Sequence, residues 1–171
     1  MKKELTRRSF LKLAGVGALA VAMSGSLTGC DVIDNLKDMD SVSAAIGDVK
    51  FMLSASVWVN NGSNGMSYQP TCEIRNNSKK AVTYGGIGSN CEVIITGVLT
   101  DKNGKEYPMT YAGENGSAPA GEKYEVKDFK LVAVGKKLYM EGSKVVTTFT
   151  YNGRKAVFTE YNNGNITSKV E

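Results

Sequence analysis

From residue 49 onward the chain alternates apolar and polar side chains in short runs, and turns rich in Asn, Gly and Ser separate the runs. A period of two sends successive side chains to opposite faces of an extended strand. Such a chain buries its apolar side only by packing one sheet against another or by closing a sheet on itself. The pattern therefore predicts an all-β, antiparallel domain over residues 49–171, with about 7–9 strands and little helix. Lys50–Val59 reads as a strand with Phe51, Leu53, Ala55, Val57 and Val59 on one face, which puts Trp58 on the other. After a loop over Asn60–Gly65, Tyr68–Asn76 is the next strand, with Tyr68, Cys72 and Ile74 inward. Ala81–Tyr84 is short, and Gly85–Gly88 is a flexible connection.

Register can be read in two places. Cys91–Thr100 and Lys105–Tyr111 flank Asp101-Lys-Asn-Gly104. A tight Asn-Gly turn would set Leu99 opposite Pro108. A type I turn with Gly104 in a left-handed bulge position sets Leu99 opposite Tyr107 and keeps one face apolar, so the second register is expected. Val145–Tyr151 and Arg154–Tyr161 flank Asn152-Gly153, which places Phe149 opposite Ala156 and Thr147 opposite Phe158. Lys123–Val134 slips phase between Val126 and Phe129, as one extra residue at Lys127-Asp128 would cause. Ile166–Val170 reads as an edge strand.

Composition removes whole classes of chemistry. The chain has 171 residues and no histidine, so His-based triads, His metal sites and imidazole proton shuttles are absent. The formal charge of +4 is carried by the first 29 residues, which hold five basic side chains and one acidic one. Residues 30–171 are neutral and give no footprint for nucleic acid. Gly85-Gly-Ile-Gly88 lacks the third glycine and the following helix of a dinucleotide loop. Asp101, Asn103 and Glu106 lie in a hairpin too tight for a calcium loop. Ser89-Asn90-Cys91 has no histidine to form a thiolate. Glu73, Glu92, Glu106 and Glu160 sit at strand positions that read as solvent-facing. No catalytic set, cofactor motif or metal site follows from these residues.

The N-terminal segment is different in kind. A basic head with adjacent Arg7 and Arg8 precedes Leu13–Met23, an Ala- and Gly-rich apolar stretch about half the ~20 residues that span a bilayer. Thr6-Arg7-Arg8-Ser9-Phe10-Leu11-Lys12 closely resembles the bacterial twin-arginine export signal. Leu27-Thr28-Gly29-Cys30, directly after it, resembles a lipobox. The resemblance implies a signal peptide over 1–29 with a helical apolar stretch, read by the twin-arginine translocase and lipoprotein-processing enzymes. It also implies cleavage before Cys30 and lipidation of its thiol, leaving the protein on the extracytoplasmic face of the cytoplasmic membrane. Two or three acyl chains make a lasting anchor where one does not.

Residues 30–48 then read as the lipidated N-terminus and an acidic tether, with five Asp and one Lys; Val32, Ile33, Leu36 and Met39 also allow a short helix there. Within the domain, Thr71–Val82 and the later Pro119-Ala-Gly-Glu-Lys-Tyr-Glu-Val126 resemble the small immunoglobulin-like domains of bacterial surface lipoproteins. That resemblance implies a two-sheet sandwich and no particular chemistry. With Cys30 lipidated, Cys72 and Cys91 form an even pair, a candidate disulfide in an oxidising compartment; the alternative is two buried thiols packing as small apolar groups. Two functions fit. One is a non-catalytic, membrane-anchored envelope lipoprotein that engages another protein or serves as a structural accessory. The other is a solute- or glycan-binding lipoprotein, which calls for a concave site with exposed aromatic rings.

Overall fold

A computed structural model describes residues 41–61, 65–134, 138 and 140–171. The expected signal peptide with Arg7 and Arg8, Cys30, and the expected tether up to residue 40 lie outside them. The described residues form twelve strands and no helix. In chain order these are β1 (Val42–Ile46), β2 (Val49–Asn60), β3 (Met66–Asn76), β4 (Val82–Gly85), β5 (Val93–Thr100) and β6 (Glu106–Tyr111). There follow β7 (Gly116–Ala118), β8 (Glu122–Val126), β9 (Leu131–Ala133), β10 (Lys144–Tyr151), β11 (Arg154–Tyr161) and β12 (Ile166–Val170).

One sheet runs β1-β2-β3-β9-β6-β5-β10-β11-β12, antiparallel throughout this path. Its ends meet: the Ser168 hydroxyl on β12 donates to the Ser43 carbonyl on β1 at 2.9 Å. The result is a nearly closed, barrel-like sandwich, with β4, β7 and β8 attached to its wall and a short parallel pair between β4 and β5. Both legible registers are as the turn chemistry requires. Leu99 pairs with Tyr107, Phe149 with Ala156 and Thr147 with Phe158. Gly104 has φ +81°, and the Asp101 carboxylate accepts from the N–H groups of Asn103 and Lys105 at 2.9 Å each. Asp101 thus organises its own turn.

Three strands depart from the sequence reading. Val42–Ile46 falls inside the stretch read as tether, yet it pairs with β2 and buries Ala44 and Ile46, so the folded domain starts before residue 49. Gly116–Ala118, which the sequence reading assigned to no strand, pairs with β4. The run 123–134 is two strands on the same side of β3. Between the pairs Cys72↔Val126 and Tyr68↔Leu131, three residues of β3 are matched by four, the one extra residue that the phase slip implied.

On the opposite side of β3 the sequence reading fails for half of β2. Leu53 pairs with Cys72 and Ser54 with Thr71, but Ser56 pairs with Pro70, leaving Ala55 as an inserted residue. The bulge inverts the alternation. Val57 and Val59, expected inward with Phe51, are 59% and 37% exposed, while Ser56 and Trp58 turn toward the interior. Pro70 is the common factor. It has no N–H to give the ladder, and both neighbouring strands break step beside it.

The interior is joined by stacked rings. Phe51 on β2 lies on Phe149 of β10 with centroids 4.8 Å apart, so facing walls touch through two side chains. Phe149 also meets Phe158 at 5.6 Å and Phe129 at 6.0 Å. Each such ring stabilises the fold by roughly 1.5–3 kcal/mol through burial alone. Gly97 makes room beside them: a Cβ there would lie 2.7 Å from Leu131 Cδ1 and 3.2 Å from Met109 Cβ. Gly97→Ala should therefore lower stability by about 1–3 kcal/mol, measured as the urea midpoint. An unchanged midpoint would mean that β5 and β9 are not this close.

Candidate functional site

Glu160 ends the inward series Ala156, Phe158, Glu160 on β11 and is 5% exposed. Sequence reasoning placed it in solvent; the hairpin register already puts it on the apolar face, so that reading is corrected. A buried carboxylate must be met by donors. Three converge on it. Tyr68 donates its hydroxyl to Oε2 at 2.7 Å, and on Oε1 Ser56 donates its hydroxyl and Trp58 its indole N–H, the latter at 3.3 Å. The Trp58 N–H also lies 3.0 Å from Ser56 Oγ, and its ring stands edge-on to Tyr68 at 5.5 Å.

Each donor reaches the site for a separate reason. Tyr68 is inward by the ordinary alternation of β3, whereas Ser56 and Trp58 are inward only because of the bulge opposite Pro70. Burial, then the Glu160 charge, holds the Tyr68 hydroxyl well above the usual phenol range, so it stays a donor. The cluster joins β2 and β3 to β11 on the side of the barrel where β1 is too short to do so. Chemically, each oxygen of the carboxylate is engaged by at least one donor.

The other sequence candidates are dispersed. Glu73 pairs with Lys123 at 2.9 Å and Glu92 with Lys80 at 2.7 Å. The Lys80 ammonium holds the Glu92 carboxyl below its ordinary range. Among the described residues no group of three or more Cys, Asp and Glu side chains is placed to hold a metal ion. Cys72 and Cys91 are free thiols, so the candidate disulfide is not formed. Cys72 is buried on β3, where desolvation raises its thiol pKa well above normal; Cys91 is half-buried just before β5. The aromatic rings mostly face in. Tyr68, Tyr84, Tyr111 and Tyr151 are buried, and Trp58, Tyr107 and Tyr124 pack against the core.

One open groove of about 320 Å³ lies at the turn end of the barrel. It is lined by Ile46, Gly47 and Asp48 of the β1–β2 turn, by Ser78, and by Tyr151, Asn152 and Arg154 of the β10–β11 turn. Beside it Asn76, fully buried, donates to the carbonyls of Lys80 at 2.9 Å and Ala118 at 3.0 Å. Its Oδ1 accepts from the Ser78 N–H and hydroxyl. The Asn/Ser turn is thereby tied to the residue just before Pro119, and Asn76 pairs with Glu122 in the ladder. Two motifs noted separately in the sequence are thus in contact.

The chain matches no protein-family model, and no curated protein and no solved structure is similar to it.

Loss of one donor from a buried carboxylate carries the full desolvation penalty. Tyr68→Phe should lower stability by about 2–3 kcal/mol and Trp58→Phe, which removes the longer bond, by about 1 kcal/mol. Denaturant titration of both variants tests the ranking. A Tyr68→Phe midpoint equal to wild type would contradict a clamp at Glu160.

Proposed function

We propose that this chain is a non-catalytic lipoprotein of the bacterial cell envelope, exported by the twin-arginine route and held at the extracytoplasmic face of the cytoplasmic membrane by lipid on Cys30. The observation that carries the reading is the order of two motifs. Arg7-Arg8 is followed by a short apolar stretch and then, after Ser24-Gly25-Ser26, by Leu27-Thr28-Gly29-Cys30. Eleven residues separate Cys30 from the start of β1, a leash of at most about 40 Å. The acidic side chains on it would be repelled by anionic headgroups and would hold the domain off the surface.

The domain itself is best read as an immunoglobulin-like module serving protein interaction or a structural accessory role. Its support is the antiparallel all-β architecture together with the Asn76–Ala118 link between the two resembling segments. The second reading, a solute- or glycan-binding lipoprotein, has one observation in its favour, the groove at Asp48, Tyr151 and Arg154. Its volume is near the low end for a ligand site, and most of the rings that would stack on sugars are turned inward.

Growth with radiolabelled palmitate tests the anchor. Label should enter the full-length chain's processed product, disappear in Cys30→Ala, and fall when Arg7 and Arg8 are both changed to Lys. Unlabelled protein of unprocessed size in the cytosol would overturn the proposal.

A further inference from the structure

Two hairpins close on the same groove with two-residue turns. Gly47-Asp48 joins the pair Ile46↔Val49, and Asn152-Gly153 joins Tyr151↔Arg154. Gly47, Asn152 and Gly153 have φ of 59°, 49° and 75°, the left-handed backbone that such short turns require. Turns this short cover little, and the groove of about 320 Å³ stays open between them. Each segment that lines it is described together with several residues on either side.

Register decides what faces this groove. Directly paired residues share a face of the sheet, so Arg154 lies on the side of Tyr151 and carries the inward series Glu160, Phe158, Ala156 on to the mouth of the barrel. Tyr151 is only 8% exposed and its ring belongs to the core. Its hydroxyl has no hydrogen-bond partner among the described residues, yet it is not sealed from water, since the buried side-chain atom left without a partner is Glu73 Oε1. That hydroxyl therefore opens on the groove the residue lines. On the other turn, Asp48 uses its main-chain carbonyl, which accepts from the Asn77 N–H at 2.8 Å, and leaves its carboxylate free.

Asp48 and Arg154 are the charged residues of this lining. Carboxylates elsewhere in the domain find cations, Glu73 with Lys123, Glu92 with Lys80 and Glu171 with Lys169, but these two are paired neither with each other nor with a third group. The groove thus presents one open charge of each sign beside an unused hydroxyl. A simple anion would meet Asp48 as well as Arg154, and a simple cation would meet Arg154 as well as Asp48. A ligand carrying both charges satisfies each. A neutral sugar would use neither, and the buried Tyr151 ring offers it no face to stack on.

We propose that the groove binds a small zwitterion of dipeptide size, with its carboxylate on Arg154 and the Tyr151 hydroxyl and its ammonium on Asp48. The inference rests on reading this groove as a ligand site and names the class of solute it takes. The volume, at the small end of ligand pockets, selects a small molecule.

Saturation-transfer NMR titrations of the full chain test it with four probes of similar size: glycylglycine, N-acetyl-glycylglycine without the ammonium, glycylglycine amide without the carboxylate, and N-acetylglycine amide with neither charge. Glycylglycine should bind with a dissociation constant on the order of 1 mM, about tenfold tighter than either singly charged probe. Arg154→Gln should erase its advantage over the amide, and Asp48→Asn its advantage over the acetylated form. Equal binding of the charged probes to the native chain, or preferences that survive in both variants, would overturn the proposal. If N-acetylglycine amide binds as well as glycylglycine and Tyr151→Phe weakens both, the groove remains a solute site and only the zwitterion assignment falls. If none of the four binds, the reading of the groove as a ligand site falls with it. Asp48 and Arg154 are exposed, so their substitution spares the core, and unchanged thermal unfolding of each variant verifies this.

Discussion

A proline inside a paired strand withholds one hydrogen-bond donor from the ladder, and much of this molecule is arranged around that deficit. Pro70 sits in β3, between β2 on one side and β8 with β9 on the other. Both neighbours insert a residue beside it. On one side the extra residue separates β8 from β9 and lets Phe129 and Leu131 join the core. On the other it reverses the faces of β2, so that Ser56 and Trp58 look inward and Val57 and Val59 look out. The inward pair meets Glu160, a carboxylate that would be untenable at that depth without them. The outward pair is the exposed apolar stripe of the strand. Both irregularities lie beside Pro70.

Local pattern carried a large share of the fold. Turn chemistry at Asp101–Gly104 and Asn152-Gly153 was sufficient for register, because a one-residue slip would have exposed Leu99 or Phe149. The phase slip before Phe129 was legible for the same reason. The bulge at Ala55 was not. Ala55, Val57 and Val59 continue the apolar alternation of Phe51 and Leu53, and nothing within the strand marks the insertion, which lies across the ladder from Pro70. Val42–Ile46 was hidden by the acidic residues before it, since a short strand has too few positions to establish a period.

Glu160 shows the limit more sharply. Hairpin register alone places it on the inner face, but a carboxylate there is intelligible only with Tyr68 opposite, 92 residues away in the chain. Sequence-local reasoning sees a charged side chain and assigns it to water. The N-terminal motifs are the reverse case. The meaning proposed for them is chemical, recognition by export and lipid-transfer enzymes, and such a reading needs no fold.

The proposed role draws these strands of reasoning together without catalysis. The Glu160 cluster and the Asn76 turn are engaged in holding strands together.

The dependence of the clamp on the inverted face of β2 can be seen at one atom. Trp58 is the chain's single tryptophan, so its indole N–H gives one resonance in a nitrogen-edited NMR spectrum. With Trp58 turned in toward Glu160, that proton should exchange with solvent at least about tenfold more slowly than free indole, consistent with a stabilising hydrogen bond of roughly 1.4 kcal/mol or more. The protection should fall in Glu160→Gln. Exchange at the free rate in the native protein would mean that Trp58 faces water and that the β2 bulge does not exist.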